Sequence, residues 1–446
     1  MSIKKVLIAN RGEISVRILR TLRKLDLQSV AVHSVADKKA MHVMFADESV
    51  CIGPSEARLS YNNIKSVIAA AELTGADAIH PGYGFLSEND SFADIVEEHG
   101  LTFLGPTGDH IRSFGSKVTA KQIMESAGVD VVPGNKELIS DADEAYEKAK
   151  DMDLPILLKS PSCGGGRGQR IVWDLKEFKE KFVEAQEEAF AICGDRNLYI
   201  EIYFDNPKHI ELQVLGDGKG KVISLGERDC SMQRKHQKVI EEAPANIPQK
   251  LRDDVYAKVC KVMGEHCYRS LGTVEFLYYK EKLYFIEVNT RIQVEHPVTE
   301  SVTGLDLVEM QLIVGNKGEI PNQSDITIRG HAIESRITAE DPFTFIPSPG
   351  KVTQYLAPGG PNVRIDGALY PGWVIPPHYD SLATKIISSG KNRDEAIKTH
   401  KQALKELAIS GIKTSTELHN WIIERKDFLE DKVSTQWLEK ALKSKD

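Results

Sequence analysis

The chain has 446 residues, 41% hydrophobic and 27% charged, with a formal net charge of -8. That length calls for two or three domains, each with room for its own core. The acidic balance argues against a general nucleic-acid binder, and no apolar run approaches the length needed to span a bilayer.

The opening Met1-Ser-Ile-Lys-Lys-Val-Leu-Ile-Ala-Asn10 lacks a signal-peptide layout and enters a strand at once. The first hundred or so residues alternate short β-rich runs (Lys5 to Ala9, Ser29 to His33, Ser49 to Ile52, Ala76 to His80, Thr102 to Leu104) with helical patterns such as Glu13 to Leu25 and Tyr61 to Thr74. Such alternation predicts a parallel sheet flanked by helices, with ligands at the carboxyl ends of its strands. Two Gly-rich turns fall there, Asn10-Arg-Gly-Glu13 and His80-Pro-Gly-Tyr83-Gly84-Phe-Leu-Ser-Glu88-Asn. Neither matches G-x-G-x-x-G, so a dinucleotide site is not supported.

A helix over Ser116 to Ala127 carries Lys117. Two strands, Leu154 to Lys159 and Arg170 to Trp173, then flank Ser160-Pro-Ser-Cys163-Gly164-Gly165-Gly166-Arg167-Gly168. Successive glycines let backbone N–H groups approach an anion, so this loop reads as a phosphate cradle or, more blandly, a hairpin tip. A helical stretch from Leu175 to Ile192 leads to the strand Leu198 to Phe204, where Glu201-Ile202-Tyr203-Phe204 is a weak candidate for an adenine-facing segment. Strands follow near His209 to Leu215 and Lys221 to Leu225. The run Glu227-Arg-Asp-Cys-Ser-Met-Gln233-Arg234-Lys235-His236-Gln237-Lys238 suits a cleft for small anions better than a nucleic-acid patch, because no aromatic residues interleave it.

After a helix over Gln249 to Arg269 come Gly272-Thr-Val-Glu275-Phe-Leu277 and Glu287-Val-Asn-Thr-Arg291-Ile-Gln-Val-Glu295-His296-Pro297. In extended chain, Glu287, Asn289, Arg291, Gln293 and Glu295 share one face. Carboxylates and an amide are ligands for magnesium, and the arginine and glutamate beside them suit a small anion. A regular strand is expected to end near Asn289, since strands run only ~5–6 residues. Beyond residue 320, Pro, Gly and short strands dominate from Ile326 to Ile387, with helices from Asp394 onward. The six cysteines, at 51, 163, 193, 230, 260 and 267, contain no C-x-x-C pair. That spacing predicts neither a disulfide framework nor a zinc site, and the expected compartment is reducing, most simply the cytoplasm.

Taken together, Lys117, Lys159 with Gly-Gly-Gly-Arg-Gly, His209-x-Glu211-x-Gln213, Glu227-Arg-Asp-Cys-Ser-Met-Gln-Arg, Glu275 and Glu287-x-Asn-x-Arg-x-Gln-Val-Glu-His-Pro resemble biotin carboxylases, a family of ATP-grasp enzymes. Ala9-Asn-Arg-Gly-Glu, the His80 motif, Arg329-Gly-His-Ala-Ile-Glu-Ser-Arg336 and Pro347-Ser-Pro-Gly extend the resemblance over essentially the whole chain. It implies an α/β fold: a Rossmann-like parallel domain over 1–115, an ATP-grasp domain over 116–318 with a mobile lid at about 131–203, and an α+β domain over 326–446. Residue by residue, it assigns ATP to Lys117, Lys159, Gly165, Gly166, Glu201, Ile202, Tyr203, Phe204, His209, Gln233, His236, Glu275, Leu277 and Glu287. Magnesium or manganese falls to Glu275, Glu287 and Asn289. Bicarbonate falls to Lys238, Arg291, Gln293, Val294 (through its backbone) and Glu295, and biotin to Tyr83, Gly84, His236 and Arg336. Arg291, Glu295, Lys238 and Arg336 carry the chemistry, with Glu295 as base. The implied reaction is ATP-dependent carboxylation of biotin on a separate carrier protein, since no Met-Lys-Met occurs. Carboxyltransferase subunits and a homodimer are implied partners, with no nucleic acid and no membrane. Acetyl-CoA carboxylase of fatty acid synthesis is the leading complex, and split pyruvate or acyl-CoA carboxylases use the same design. A different ATP-grasp ligase and a silent scaffold are the competing classes. Departures from the family pattern fall at Ser162, Cys163, Gln169 and Ile202 near the nucleotide, and at Lys24 and Pro361 near the usual dimer contact.

Overall fold

The parallel sheet follows from the first five strands: β1 (Lys5–Ile8), β2 (Gln28–Ser34), β3 (Glu48–Gly53), β4 (Ala78–His80) and β5 (Thr102–Phe103). In the computed structural model, which describes residues 2–135, 137–160, 163 and 168–444, they are ordered β3-β2-β1-β4-β5, every pair parallel. Val6, Leu7 and Ile8 are all buried, as a sheet covered by helices on both faces requires. β1 and β4 are neighbours, so the two Gly-rich turns at their carboxyl ends lie side by side. Asn10 ties them, its Nδ2 donating to the Pro81 and Tyr83 carbonyls at 2.7 and 2.8 Å. Gly82, at φ +62°, must be glycine, because a Cβ there would lie 2.8 Å from Asn10 Nδ2.

β6 (Ile156–Lys159), β7 (Gln169–Val172) and β8 (Tyr199–Ile202) form a separate antiparallel sheet, ordered β7-β6-β8. The helix Phe178–Cys193 packs Phe178 and Phe182 against Ile156, Leu158 and Ile200, giving this unit its own core. Cys163 and Cys193 are disulfide-bonded across a separation of 30 residues. This corrects the expectation that no cysteines pair: the fold brings a loop cysteine against the end of that helix, which spacing alone does not reveal. It also removes the cysteine argument for a reducing compartment.

β9 (Lys208–Asp217), β10 (Val222–Arg234), β11 (Gln237–Ala243), β12 (Arg269–Tyr279), β13 (Lys282–Asn289) and β14 (His331–Thr338) belong to an eight-stranded antiparallel sheet. Later in the chain lie β15 (Gly350–Lys351), β16 (Gln354–Leu356), β17 (Val363–Gly367), β18 (Val374–Ile375), β19 (Leu382–Gly390) and β20 (Ala408–Ser410). β17 and β19 complete the large sheet in the order β13-β12-β9-β10-β11-β14-β19-β17, while β15 pairs with β18 and β16 with β20. Its β11–β14 pairing carries the sheet without a break past the expected boundary at 318–326. One face of β9 and β12, with Ile210, Leu212, Val214, Val274 and Phe276, packs on the helices Lys117–Ser126 and Gln249–Glu265. The opposite face carries Glu211, Gln213, Thr273 and Glu275 and turns apolar at the Leu215–Leu271 pair.

The stretch from Lys221 to Lys238 differs from expectation. β10 is far longer than Lys221 to Leu225, and the charge run of 227–238 folds as its continuation, a turn, and the start of β11. Lys235 and His236 make that turn with φ of 46° and 62°. The strand carrying Glu287 does end at Asn289, and residues 291–295 form a loop before the helix His296–Thr303.

Candidate active site

Register places the charged residues. Glu275 of β12 stands opposite Glu287 of β13 on one side and Glu211 of β9 on the other. Glu211 in turn opposes Arg228 of β10. Directly paired residues share a sheet face, so Glu211, Arg228, Glu275 and Glu287 converge above the polar side.

Arg228 is fully buried and uses its whole guanidinium. Nε donates to Glu211 Oε1 at 2.5 Å, Nη1 to Gln213 Oε1 and Thr299 Oγ1 at 2.7 and 2.8 Å, and Nη2 to Gln293 Oε1 and Thr273 Oγ1 at 3.0 and 3.3 Å. It therefore stitches β9, β12, the 291–295 loop and the following helix to β10. Lys238, from β11, donates to Glu211, to Glu275 Oε1 at 3.1 Å and to Glu295 Oε1 at 2.5 Å. Glu295 Oε2 accepts from Arg336 Nη2 at 2.8 Å, and Arg336 also meets Glu241 at 2.5 Å. Burial alone would raise Glu295, but Lys238, Arg336 and Arg228 hold it well below the usual carboxylate range. Glu275 is likewise held well below that range against burial, chiefly by Lys238 and His209.

The loop after β13 is braced locally. Arg291 donates to Glu88 Oε2 and to Asn289 Oδ1, both at 2.9 Å. Gln293 Nε2 and Asn289 Nδ2 each donate to Glu275 Oε1 at 2.9 Å. Lys385 of β19 donates to the Val294 carbonyl at 2.6 Å.

Next to this cluster, Lys117 opens its helix and reaches Glu287 Oε2 at 3.2 Å. Lys159 ends β6, with Nζ 3.9 Å from Glu201 Oε2, and Lys121 lies 3.1 Å from Glu201 Oε1. Burial is outweighed there by Lys159 and Lys121, so the Glu201 pKa is lowered. His209 Nε2 lies 3.1 Å from Glu275 Oε2, and its Nδ1 faces Gln233 Nε2 at 2.8 Å. Leu277 is the register partner of His209. Phe204 stacks on Tyr279 with centroids 4.8 Å apart, Tyr203 accepts from Gln436 through its hydroxyl, and Ile202 ends β8 half-buried. Gly165 and Gly166 lie outside the described residues.

Tyr83 donates from its hydroxyl to Glu13. Gly84, at φ +67°, leaves open space where a side chain would stand. His236 is exposed at the turn between β10 and β11, apart from the central ion pairs. Of the residues proposed from sequence, Lys238, Glu275, Asn289, Arg291, Gln293, Glu295 and Arg336 form one connected network, which His209 and Gln233 join through Glu275, while Glu287 pairs with Lys117 and faces Glu275 through strand register. Sequence reasoning did not single out Arg228, Lys121, Glu241 or Lys385 as site residues. Each lies on an unremarked strand or helix position, and only Arg228 sat within a quoted motif.

A polar-faced antiparallel sheet, a small three-stranded unit bearing a glycine loop, and two lysines meeting acidic partners between them define an ATP-grasp enzyme. The family profile "Biotin carboxylase, N-terminal domain" matches residues 2–111, "Carbamoyl-phosphate synthase L chain, ATP binding domain" matches 116–322, and "Biotin carboxylase C-terminal domain" matches 334–440. Biotin carboxylase of Pseudomonas aeruginosa is 51% identical over 443 residues, covering 99% of each chain. A pyruvate carboxylase component of Methanothermobacter thermautotrophicus is 45% identical, covering 98% of this chain and 89% of that one. A crystal structure of biotin carboxylase in a β,γ-ATP complex from Campylobacter jejuni superposes with TM-score 0.95 at 45% identity, covering 98% and 99%. The Hydrogenobacter thermophilus 2-oxoglutarate carboxylase biotin carboxylase domain dimer, solved with MgADP, ADP and bicarbonate, also gives 0.95, at 43% identity and 100% and 99% coverage. The chain belongs to the biotin carboxylase family, and its activity is ATP-dependent biotin carboxylation.

Proposed function

We propose that this network phosphorylates bicarbonate from ATP and delivers the carboxyl group to N1 of a carrier-bound biotin. The observation that carries the reading is Glu295, held between Lys238 and Arg336 beside the Glu275–Glu287–Asn289 carboxylate–amide set.

Lys117 and Lys159 would exchange their partners Glu287 and Glu201 for ATP phosphates, together with Gly165 and Gly166. Glu201 to Phe204, His209, Gln233, His236 and Leu277 would hold the nucleoside. The acidic donor set fits magnesium or manganese, because two facing carboxylates and an amide oxygen are hard ligands and Glu275 stays ionised. Glu275, Glu287 and Asn289 would hold the ion, which neutralises charge on the phosphoryl oxygens when bound.

Arg291 and Lys238 bring bicarbonate to the γ-phosphorus, with Gln293 and the Val294 backbone fixing its orientation. Glu295 accepts the bicarbonate proton. Lys238 is shared among three carboxylates, so drawing it onto bicarbonate raises the basicity of Glu295 at that moment. A bicarbonate oxygen attacks the γ-phosphorus, ADP leaves, and carboxyphosphate forms. It breaks to CO2 and phosphate, the phosphate takes the N1 proton of biotin, and N1 adds to CO2. Arg336 stabilises the enolate form of the biotin ureido group, with Tyr83, Gly84 and His236 around it.

We place the chain in acetyl-CoA carboxylase, receiving biotin on a carrier protein and passing it to carboxyltransferase subunits. The pyruvate carboxylase relative, 45% identical, keeps a second acceptor in play. A homodimer in the cytoplasm, where ATP is available, completes the proposal. Lys24 near the proposed dimer contact already pairs with Glu309 of its own chain at 2.8 Å. The test is ATP cleavage with magnesium, bicarbonate and free biotin, wild type beside Arg336→Ala. Bicarbonate-dependent cleavage stimulated by biotin, with carboxybiotin lost in the variant, is expected. Biotin-independent ligation of another acid would overturn the reading, and reconstitution with acetyl-CoA or pyruvate partners separates the complexes.

A further inference from the structure

We infer that Lys385 is a positioning residue for the bicarbonate step, setting the backbone of the Val294–Glu295 peptide and joining it to the biotin-facing Tyr83. This rests on the roles proposed above for Val294, Glu295 and Tyr83.

Lys385 lies mid-strand in β19 with a side-chain exposure of 0%. A buried ammonium is costly, and a buried ion pair rarely improves stability over apolar side chains of similar size. Its partners suggest what the charge is for. Nζ donates to the Val294 carbonyl at 2.6 Å and lies 3.3 Å from Glu13 Oε1. The same Glu13 oxygen accepts from the Tyr83 hydroxyl. One ammonium therefore touches the bicarbonate-facing loop and, through a single carboxylate, the residue assigned to biotin.

The strand register adds a second constraint. Lys385 is the direct partner of Arg336 across β14 and β19, so the two cations stand side by side on one face. Arg336 holds the Glu295 carboxylate at 2.8 Å while Lys385 holds the carbonyl one residue before it. Consecutive residues of an irregular loop are thus pinned by adjacent cations of a rigid sheet. The other loop carbonyls are held locally: Ile292 accepts from Arg291 at 3.3 Å and Gln293 from His296 Nδ1 at 2.7 Å. Only through Lys385 and Arg336, among these contacts, is the loop tied to β19 and β14. Glu334, two residues before Arg336, is buried with no hydrogen-bond partner for either carboxylate oxygen among the described residues. Glu13, Glu334 and Asp366, all buried, are the carboxylates whose charge acts on Lys385.

The test uses the full chain, with Lys385→Met, Lys385→Arg and the double variant Lys385→Met/Glu13→Gln, which leaves no lone Glu13 carboxylate. Steady-state kinetics are varied separately in ATP, bicarbonate and biotin. Loss of a hydrogen bond from a charged group predicts that KM for bicarbonate rises about tenfold or more in the Met variants. KM for ATP should stay within about twofold, since uniform substrate binding at the other subsite is untouched. Lys385→Arg should recover part of the bicarbonate affinity. Equal KM for bicarbonate in a folded Met variant and wild type would overturn the inference, as would parallel loss for all three substrates. If every variant lacking the ammonium is unfolded by circular dichroism, Lys385 is structural and the inference is wrong. Absence of bicarbonate-dependent ATP cleavage in the wild type would instead overturn the proposed function.

Discussion

The ammonium of Lys238 stands 2.5 Å from Oε1 of Glu295 while Arg336 occupies Oε2 at 2.8 Å, so the carboxylate meets a cation on each oxygen. Glu295→Gln keeps the shape and removes the proton acceptor. Its kcat should fall by ~100-fold or more, the usual contribution of a general base, with KM for ATP little changed. Single-turnover measurement of ADP formation checks this. A fall below tenfold would move the base elsewhere.

Arg228 is not proposed to touch a substrate, yet it links four segments from a position of zero exposure. Arg228→Met leaves Glu211 buried without its strongest partner. The expected loss is about 3–5 kcal/mol of stability, as for other broken buried pairs. The urea midpoint of the variant reports it, and an unchanged midpoint would contradict the network.

The buried histidines should make the fold less stable in mild acid, opposed by Glu241, whose pKa burial raises to about 7, and by Glu13, Glu211 and Glu334, which burial also raises. Burial lowers the pKa of His42 and His419 to about 4, and of His80 and His400 to about 3. In the unfolded chain these rings protonate near pH ~6.5. Between those values the unfolded state binds more protons, so stability rises with pH. It is complete above about 6.5 and is lost as pH falls, at up to about 1.4 kcal/mol per pH unit for each ring. Glu275 and Glu295, both lowered, add a further loss in more acid solution. Urea melts at pH 7, 6 and 5 of wild type beside His419→Gln isolate one ring, and the midpoint should fall less with acid in the variant. Equal pH dependence in the two proteins would mean that the ring is accessible.

The Cys163–Cys193 bridge closes a 30-residue separation within the three-stranded unit. Loop-entropy arguments give such a closure about 3–4 kcal/mol. Dithiothreitol, or Cys193→Ser, should lower the unfolding temperature of that unit and leave the parallel sheet unaffected. Calorimetry with and without reductant decides it, and identical traces would mean the bridge does not form in solution.

The strands of the parallel sheet were legible because Val6-Leu7-Ile8 and its neighbours are apolar runs between turn residues, and such patterns are local. Glu287, Asn289 and Arg291 were legible for a related reason: charge where a core-facing strand should be is anomalous within a few residues. Arg228, Glu241 and Lys385 were not. Their significance comes from register across β9, β10, β11, β14 and β19, and pairing between strands far apart in sequence leaves no mark on either strand alone. The disulfide was hidden likewise, since it depends on the helix Phe178–Cys193 folding back onto the loop that carries Cys163.

The β11–β14 seam has a consequence for cutting the chain. Residues 327–330 are exposed and lie just before β14. A protease cut there would spare every catalytic group proposed here, yet separate Lys238 from Arg336. Each fragment would then present an open strand edge, Ile240 to Ala243 on one and Ala332 to Ser335 on the other. Bare edges invite foreign pairing, so fragments expressed alone should aggregate. Expressed together they should find one another, zip the seam and regain activity, making this chain a natural candidate for split-protein complementation.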